Sequence, residues 1–334
     1  MCIVLYLFRE HSHKYKVERL SDGQRYALKV SDVDRLSPQS ACDVVREIGL
    51  LASLDHPHLV QYHESFVDQS KLCIITEYLS GGDLATLLQR RRDACQRLPE
   101  PQVWSAFLQI TLAVQALHRA HILHRDIKPQ NVLLTSQGAL KLGDLGIARI
   151  LDKVFTRASS GTPHYMPPEF WRRQPCSYSA DIWALGCLLH ELCSLKPCFL
   201  RSRQADMEAE LLRGEIPAIP ARYSRDLQSV VRALLHPDAA TRPTVDEVLA
   251  MPEVGRHVHL VPAALRRAAS GSSARSSSEA LPSLLFPSVL PALLAPLSVP
   301  SRLADWETLN DIMPPPRYAS GGDTVTAALR RRRA

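Results

Sequence analysis

The chain has 334 residues, of which 46% are hydrophobic and 22% charged, a balance that fits a soluble globular protein with a core and one large or two ordinary domains. The formal net charge is +6, and part of the excess is the run Arg330, Arg331, Arg332 and Arg333, which reads either as a solvated tail or as a patch for an acidic partner, RNA or a targeting receptor. The eight cysteines are scattered, with no Cys-x-x-Cys pair and no His cluster at zinc spacing, which argues against a disulfide framework or a zinc site and for reduced thiols in a cytosolic protein.

In chain order, residues 1–8 are apolar but carry no basic leader and no small-residue cleavage site, and are too short to span a membrane; a buried edge strand is expected. No membrane span is expected elsewhere either, because no run of about 18 uninterrupted apolar residues exists. Residues 15–19 and 25–31 read as strands joined by a turn at Asp22-Gly23. The second strand puts Lys29 inside an apolar run, where it is either an edge-strand charge or a cation projecting into a cleft. Val44, Val45, Ile48, Leu51 and Leu54 recur at helical spacing over 40–54, with Glu47 among them, and His56-Pro57 ends that helix. Residues 59–67 and 71–77 read as a hairpin. Gly81-Gly82-Asp83 opens the next helix, with Asp83 as its N-cap.

From Pro101 the pattern turns helical, with a long helix over 101–120 and later ones at 179–194, 224–235 and 244–250. The predicted fold is α+β and two-lobed: a small β-rich lobe over about 1–79, a larger helical lobe over about 80–255, and a tail over 256–334. Within the tail, 268–280 is rich in Ala, Ser and Arg and reads as a flexible linker. Residues 281–303 are Leu-rich but carry prolines at 282, 287, 291, 296 and 300, which would leave a membrane helix with unpaired backbone. That stretch reads as disordered tail or as a docking segment for a partner or for the large lobe.

Chemistry concentrates in His124-Arg125-Asp126-Ile127-Lys128-Pro129-Gln130-Asn131, in Lys141-Leu142-Gly143-Asp144-Leu145-Gly146, and in Gly161-Thr162-Pro163-His164-Tyr165-Met166-Pro167-Pro168-Glu169. In this order the three motifs are highly specific. Through them, residues 14–250 resemble a eukaryotic protein kinase catalytic domain, and within that superfamily the NIMA-related serine/threonine kinases. The resemblance implies a transfer of the γ-phosphate of ATP to Ser or Thr hydroxyls of protein substrates, with Mg2+. It implies no nucleic-acid partner. It also implies a cytoplasmic protein, with centrosome, cilium, cytoskeleton and the cell cycle as family settings.

The same resemblance assigns roles. Asp126 orients the acceptor hydroxyl and takes its proton. Lys128 meets the γ-phosphate, and Asn131 and Asp144 hold the metal through hard oxygens. Lys29 grips the α- and β-phosphates, with Glu47 as its helix partner. Glu77 and Leu79 belong to the hinge whose backbone meets adenine; Thr76 is a small gatekeeper and Ala27 packs on the adenine face. Glu169 and Arg242 form a buried ion pair, Asp181 bonds the backbone of the loop at Asp126, and Thr162 bridges Asp126 and Lys128.

The chain departs from the family pattern in several places. The Gly-rich loop falls on residues 7–14, where the glycine places hold Leu7, Arg9 and Ser12 and Lys14 stands for the valine; the first glycine is Gly23. Residues 1–13 are therefore either an atypical start or a working loop in which Arg9, His11, His13 or Lys14 touches phosphate. A pseudokinase or scaffold with impaired ATP binding is the alternative reading that this loop supports. Leu145 replaces the usual Phe and is expected to stack with His124 and Leu51. Pro167 replaces the usual Ala. Ala158 occupies the family's phosphorylation position, so Thr156, Ser159 or Ser160 is the expected substitute. Gln130, neutral where Arg-directed kinases carry Glu, argues for an acceptor flanked by apolar residues.

Overall fold

In the small lobe, strands β1 (Val4–Leu7), β2 (His13–Glu18), β3 (Arg25–Asp32), β4 (Tyr62–Asp68) and β5 (Lys71–Glu77) form an antiparallel sheet in the order β1-β2-β3-β5-β4. The computed structural model describes residues 4–7, 13–19, 23–32, 38–68, 71–144, 163–200, 204–262, 313–315 and 317. The expected edge strand at the N-terminus is β1, paired with β2 alone. Gly23 supplies the φ of 69° that the turn into β3 requires. The sheet register sets Lys14 opposite Lys29 and Ala27 opposite Thr76, so these four positions face each other across neighbouring strands.

Helix α1 (Pro38–Ser53) lies against this sheet and buries Val44, Val45 and Ile48 on Tyr62, Val67, Leu72 and Ile74. Strand β4 starts later than the pattern at 59–67 predicts. The reason is backbone pairing to the large lobe: Val60 N donates to Leu142 O at 2.9 Å and Leu142 N donates to His58 O at 2.8 Å. The hydrogen bonds that would have lengthened the hairpin tie the two lobes together instead.

The large lobe comprises α2 (Leu84–Asp93), α3 (Glu100–Arg119), the β6 (Val132–Leu134) and β7 (Leu140–Leu142) hairpin, α4 (Pro168–Trp171), α5 (Tyr178–Ser194), α6 (Gln204–Arg213), α7 (Arg225–Leu234), α8 (Val245–Ala250) and α9 (Pro252–Gly255). Asp83 caps α2 as expected, its carboxylate accepting from Thr86 N at 2.7 Å. Trp104, Phe107, Leu185, Leu188 and Leu234 are fully buried at the centre of this lobe. Helices α5 and α7 touch closely at Gly186, where a Cβ would come within 2.8 Å of the Leu235 side chain. Among the described residues, no helix is long and apolar enough to cross a membrane.

Val254 and Val261 are fully buried in the large-lobe core, and Pro262 is exposed. Met313, half-buried, packs against the cluster beneath α1. The stretches 268–280 and 281–303 lie outside the described residues.

Candidate active site

The loop at 124–131 is held from beneath by Asp181, in the first turn of α5. Its carboxylate accepts from His124 N at 2.9 Å, Arg125 N at 2.8 Å and His118 Nε2 at 3.0 Å. Asp181 is 1% exposed. Burial opposes its ionisation, but the His118 hydrogen bond and the neighbouring imidazoles hold its pKa below the ordinary value. The two adjacent backbone donors are presented together because Arg125 adopts a left-handed φ of 64°. The expected bond from Asp181 to this loop is therefore present.

His124 is fully buried and links the two motifs. Its Nε2 donates to Gly143 O at 3.0 Å, which fixes the tautomer, and Nδ1 accepts from Asp126 N at 3.2 Å. Burial pushes its pKa down, so the ring is neutral as this geometry demands. A second tie runs from Gly143 N to Asn131 O at 2.8 Å. The Asp126 side chain thus rises from a loop braced on both sides.

Above this frame, Asn131 Nδ2 donates to Asp126 O at 2.8 Å and to Asp126 Oδ2 at 2.9 Å, and Lys128 Nζ lies 2.9 Å from the same Oδ2. Asp126, Lys128 and Asn131 therefore form one cluster. Asp144, with φ of 59°, points its carboxylate at two lysines: Lys29 Nζ at 2.5 Å from Oδ1 and Lys14 Nζ at 3.0 Å from Oδ2. Burial would raise the Asp144 pKa, but the two ammonium groups overcome it and hold the carboxyl well below the usual range.

A cleft opens beside this pair, lined by Lys14, Ala27, Lys29, Thr76 and Asp144 and walled by apolar groups including Leu133. Glu77 and Leu79 do not line it. The Glu77 side chain turns away, accepting from Lys141 Nζ at 2.5 Å and Gln61 N at 2.7 Å, while its backbone N donates to Gln61 O. Among the wall residues, Leu133, Val60, Ile74 and Leu51 escaped the sequence reading; only Leu133, in the strand immediately after Asn131, had a position from which it could have been found.

Farther out, Arg242 and Glu169 form the expected buried fork, with both nitrogen–oxygen pairs at 2.7 Å. Glu47 lies on α1, but its side chain is outside the described part, as are Arg9, His11, Leu145, Thr156, Ala158, Ser159, Ser160 and Thr162. The Lys29–Glu47 pair, the Leu145 stack, the Thr162 bridge and the phosphorylation positions therefore stay as sequence expectations.

The family model of the protein kinase domain matches residues 10–253. The chain is 38% identical to mouse (Mus musculus) serine/threonine-protein kinase Nek1 over 235 residues, which is 70% of this chain and 19% of that protein. It is 38% identical to mouse Nek4 over 247 residues, 73% of this chain and 31% of that one. Against human (Homo sapiens) Nek2 it is also 38% identical, over 246 residues that make up 71% of this chain and 55% of Nek2. The chain thus spans between about a fifth and just over half of the length of these relatives. With the matched region running from β2 to α9, through both lobes and the cleft between them, the chain belongs to the protein kinase family and, within it, to the NIMA-related kinases.

Proposed function

We propose that the chain is a protein serine/threonine kinase that transfers the γ-phosphate of ATP to hydroxyls of protein substrates, with Mg2+ as its metal. The observation that carries this reading is the cluster in which Asn131 and Lys128 both hold Asp126 Oδ2, at 2.9 Å each. A carboxylate fixed in this way can orient an incoming hydroxyl and accept its proton as the oxygen attacks. Lys128, beside it, offsets negative charge on the group in transfer. Across the cleft, Lys29 and Lys14 offer ammonium groups to nucleotide phosphates, while Ala27, Thr76 and Leu133 form apolar and small surfaces suited to a purine. In the hinge, the backbone of Glu77 and Leu79 is assigned to the adenine edge.

The donor set fits a hard divalent cation. Asp144 is held ionised, and Asn131 uses its amide nitrogen on Asp126, which directs its carbonyl oxygen to other partners. No group of three or more His, Cys, Asp or Glu suited to a metal occurs among the described residues. That suits Mg2+, which takes one or two protein oxygens and shares the rest with phosphates and water. When bound, the metal supplies charge neutralisation across the phosphates.

Gln130 leaves no acidic partner for a substrate arginine at that position, so the favoured acceptor is one flanked by apolar residues. Among the described residues six cysteines lie outside any disulfide, four of them buried, which supports a reducing, cytoplasmic setting.

The test is γ-phosphate transfer by the full chain to a generic Ser/Thr substrate, alongside Asp126→Asn and Lys29→Met, with nucleotide binding measured separately. Asp126→Asn is expected to bind nucleotide normally and to lose about 10^2- to 10^4-fold in rate. Wild-type turnover no higher than that of either variant would overturn the proposal.

A further inference from the structure

Strand β4 is the edge of the small-lobe sheet, and part of that edge is occupied. Arg317 N donates to His63 O at 2.6 Å, and His63 Nδ1 donates back to Arg317 O at 2.6 Å. Four residues earlier, Met313, half-buried, packs against the apolar cluster formed by α1, β4 and β5. Its sulfur accepts from Ser65 Oγ at 3.4 Å. The Ser65 hydroxyl, buried in the edge strand, is 2.8 Å from Tyr62 Oη, so the chain of donors runs Tyr62 to Ser65 to Met313. An unbranched thioether suits such an irregular gap.

The third contact concerns the end of α1. That helix has no basic residue in its last turn. Arg317 Nη1 donates to Leu54 O at 3.3 Å and so brings a cation to a helix terminus that lacks its own. Pro314 and Pro315 have no backbone N–H, so this stretch cannot extend a ladder beyond the Arg317 pairing, and it closes the edge to further strands.

We propose that the β4 edge and the C-terminal end of α1 form a docking groove for this chain's own Met313 and Arg317, which act in cis as a strap bracing α1. Met313 is the anchor, the Arg317 backbone sets the register, and the Arg317 guanidinium holds the helix end. Because α1 carries Glu47, the strap couples the far end of the chain to the helix that faces the nucleotide cleft. The length of chain between Pro262 and Met313 is ample, since an extended chain covers about 3.3 Å per residue.

The test uses the full chain. Cysteines placed by Ser65→Cys and Met313→Cys are treated, at low protein concentration, with a short bifunctional thiol reagent, and the product is mapped by mass spectrometry. A 65–313 link within one chain is expected. A link between two chains, or none, overturns the strap in cis. In parallel, hydrogen exchange is measured on wild type, Met313→Asp and the milder Arg317→Ala. Exchange over 44–54 is expected to rise at least threefold in Met313→Asp and by a smaller factor in Arg317→Ala. Unchanged exchange in both overturns the bracing. Neither readout depends on phosphoryl transfer, so the strap and the kinase reading stand or fall separately.

Discussion

Lys14 and Asp144 form an ion pair at 3.0 Å, on the carboxylate oxygen that Lys29 leaves free. The β2–β3 register sets Lys14 directly opposite Lys29, so two ammonium groups converge where the family loop would offer glycine N–H groups to phosphate. Lys14 has a side chain 47% exposed and Lys29 one 18% exposed, so Lys14 is the more open of the two to solvent. Lys14→Met is expected to raise KM for ATP about tenfold, the worth of one charge-assisted contact, with kcat changed much less. Lys29→Met should lower kcat instead. Steady-state kinetics with ATP varied decide the matter; an unchanged KM in Lys14→Met would remove Lys14 from the nucleotide site.

Asp181 accepts from three donors while almost fully buried, and two of those donors are consecutive backbone groups of the loop that carries Asp126. An amide in its place would turn N–H groups toward N–H groups. Asp181→Asn is therefore expected to lower kcat about 100-fold, leave KM for ATP nearly unchanged, and cost about 3 kcal/mol of stability. Denaturant unfolding and kinetics on the same preparation check both parts. A stable variant with wild-type kcat would show that the loop holds its shape without this carboxylate.

Much of this frame was legible before any coordinates. The family resemblance assigned partners to Asp181, Glu169 and Arg242, and the structure places them in those bonds. The pattern at 40–54 and 101–120 is amphipathic enough that α1 and α3 follow from it to within two residues at each end. What escaped notice depends on partners far away in sequence. Residues 59 and 60 look like strand, but the hydrogen bonds of Val60 N and, in the turn before it, His58 O go to Leu142 in β7. Helix α6 is crowded with charge and shows little apolar stripe, its Leu211 being fixed by a distant core. Met313 lies in a Pro-rich tail where local pattern says nothing about docking, because the groove it fills is built from α1, β4 and β5.

The Glu169–Arg242 fork is more demanding than a surface pair. The guanidinium also donates to His236 O at 2.8 Å and Ser179 O at 3.0 Å, and it lies 4.9 Å from the centre of the Trp183 ring. Lysine reproduces the charge without the planar fork. Arg242→Lys is expected to cost about 3 kcal/mol, most of it from leaving the Glu169 carboxylate underpaired in the core. Glu169→Gln combined with Arg242→Lys should recover part of that loss, since the orphaned charge is then gone. Chemical unfolding of the single and double variants measures both, and a cost under 1 kcal/mol for Arg242→Lys would refute the assignment.

Stability should fall on mild acidification, because several imidazoles are buried in the neutral form. Burial lowers the pKa of His190, and of His56, to about 4, and pushes that of His124 down as well. Each group binds a proton more readily in the unfolded chain, near its ordinary value of 6.5, than in the folded one. Their contribution is complete above about pH 6.5 and is lost as pH falls toward the folded values. For His190, 5% exposed, the loss between pH 6.5 and 5 is on the order of 2 kcal/mol. Asp144 is affected only below its ordinary value of 3.8, while Glu191, whose pKa burial raises above 4.5, opposes part of the decline. Denaturant midpoints at pH 7, 6 and 5 should therefore decline, and His190→Gln should flatten the decline by roughly that amount, even if it lowers stability at pH 7. A midpoint constant from pH 7 to 5 would mean that these rings take up protons without unfolding the chain.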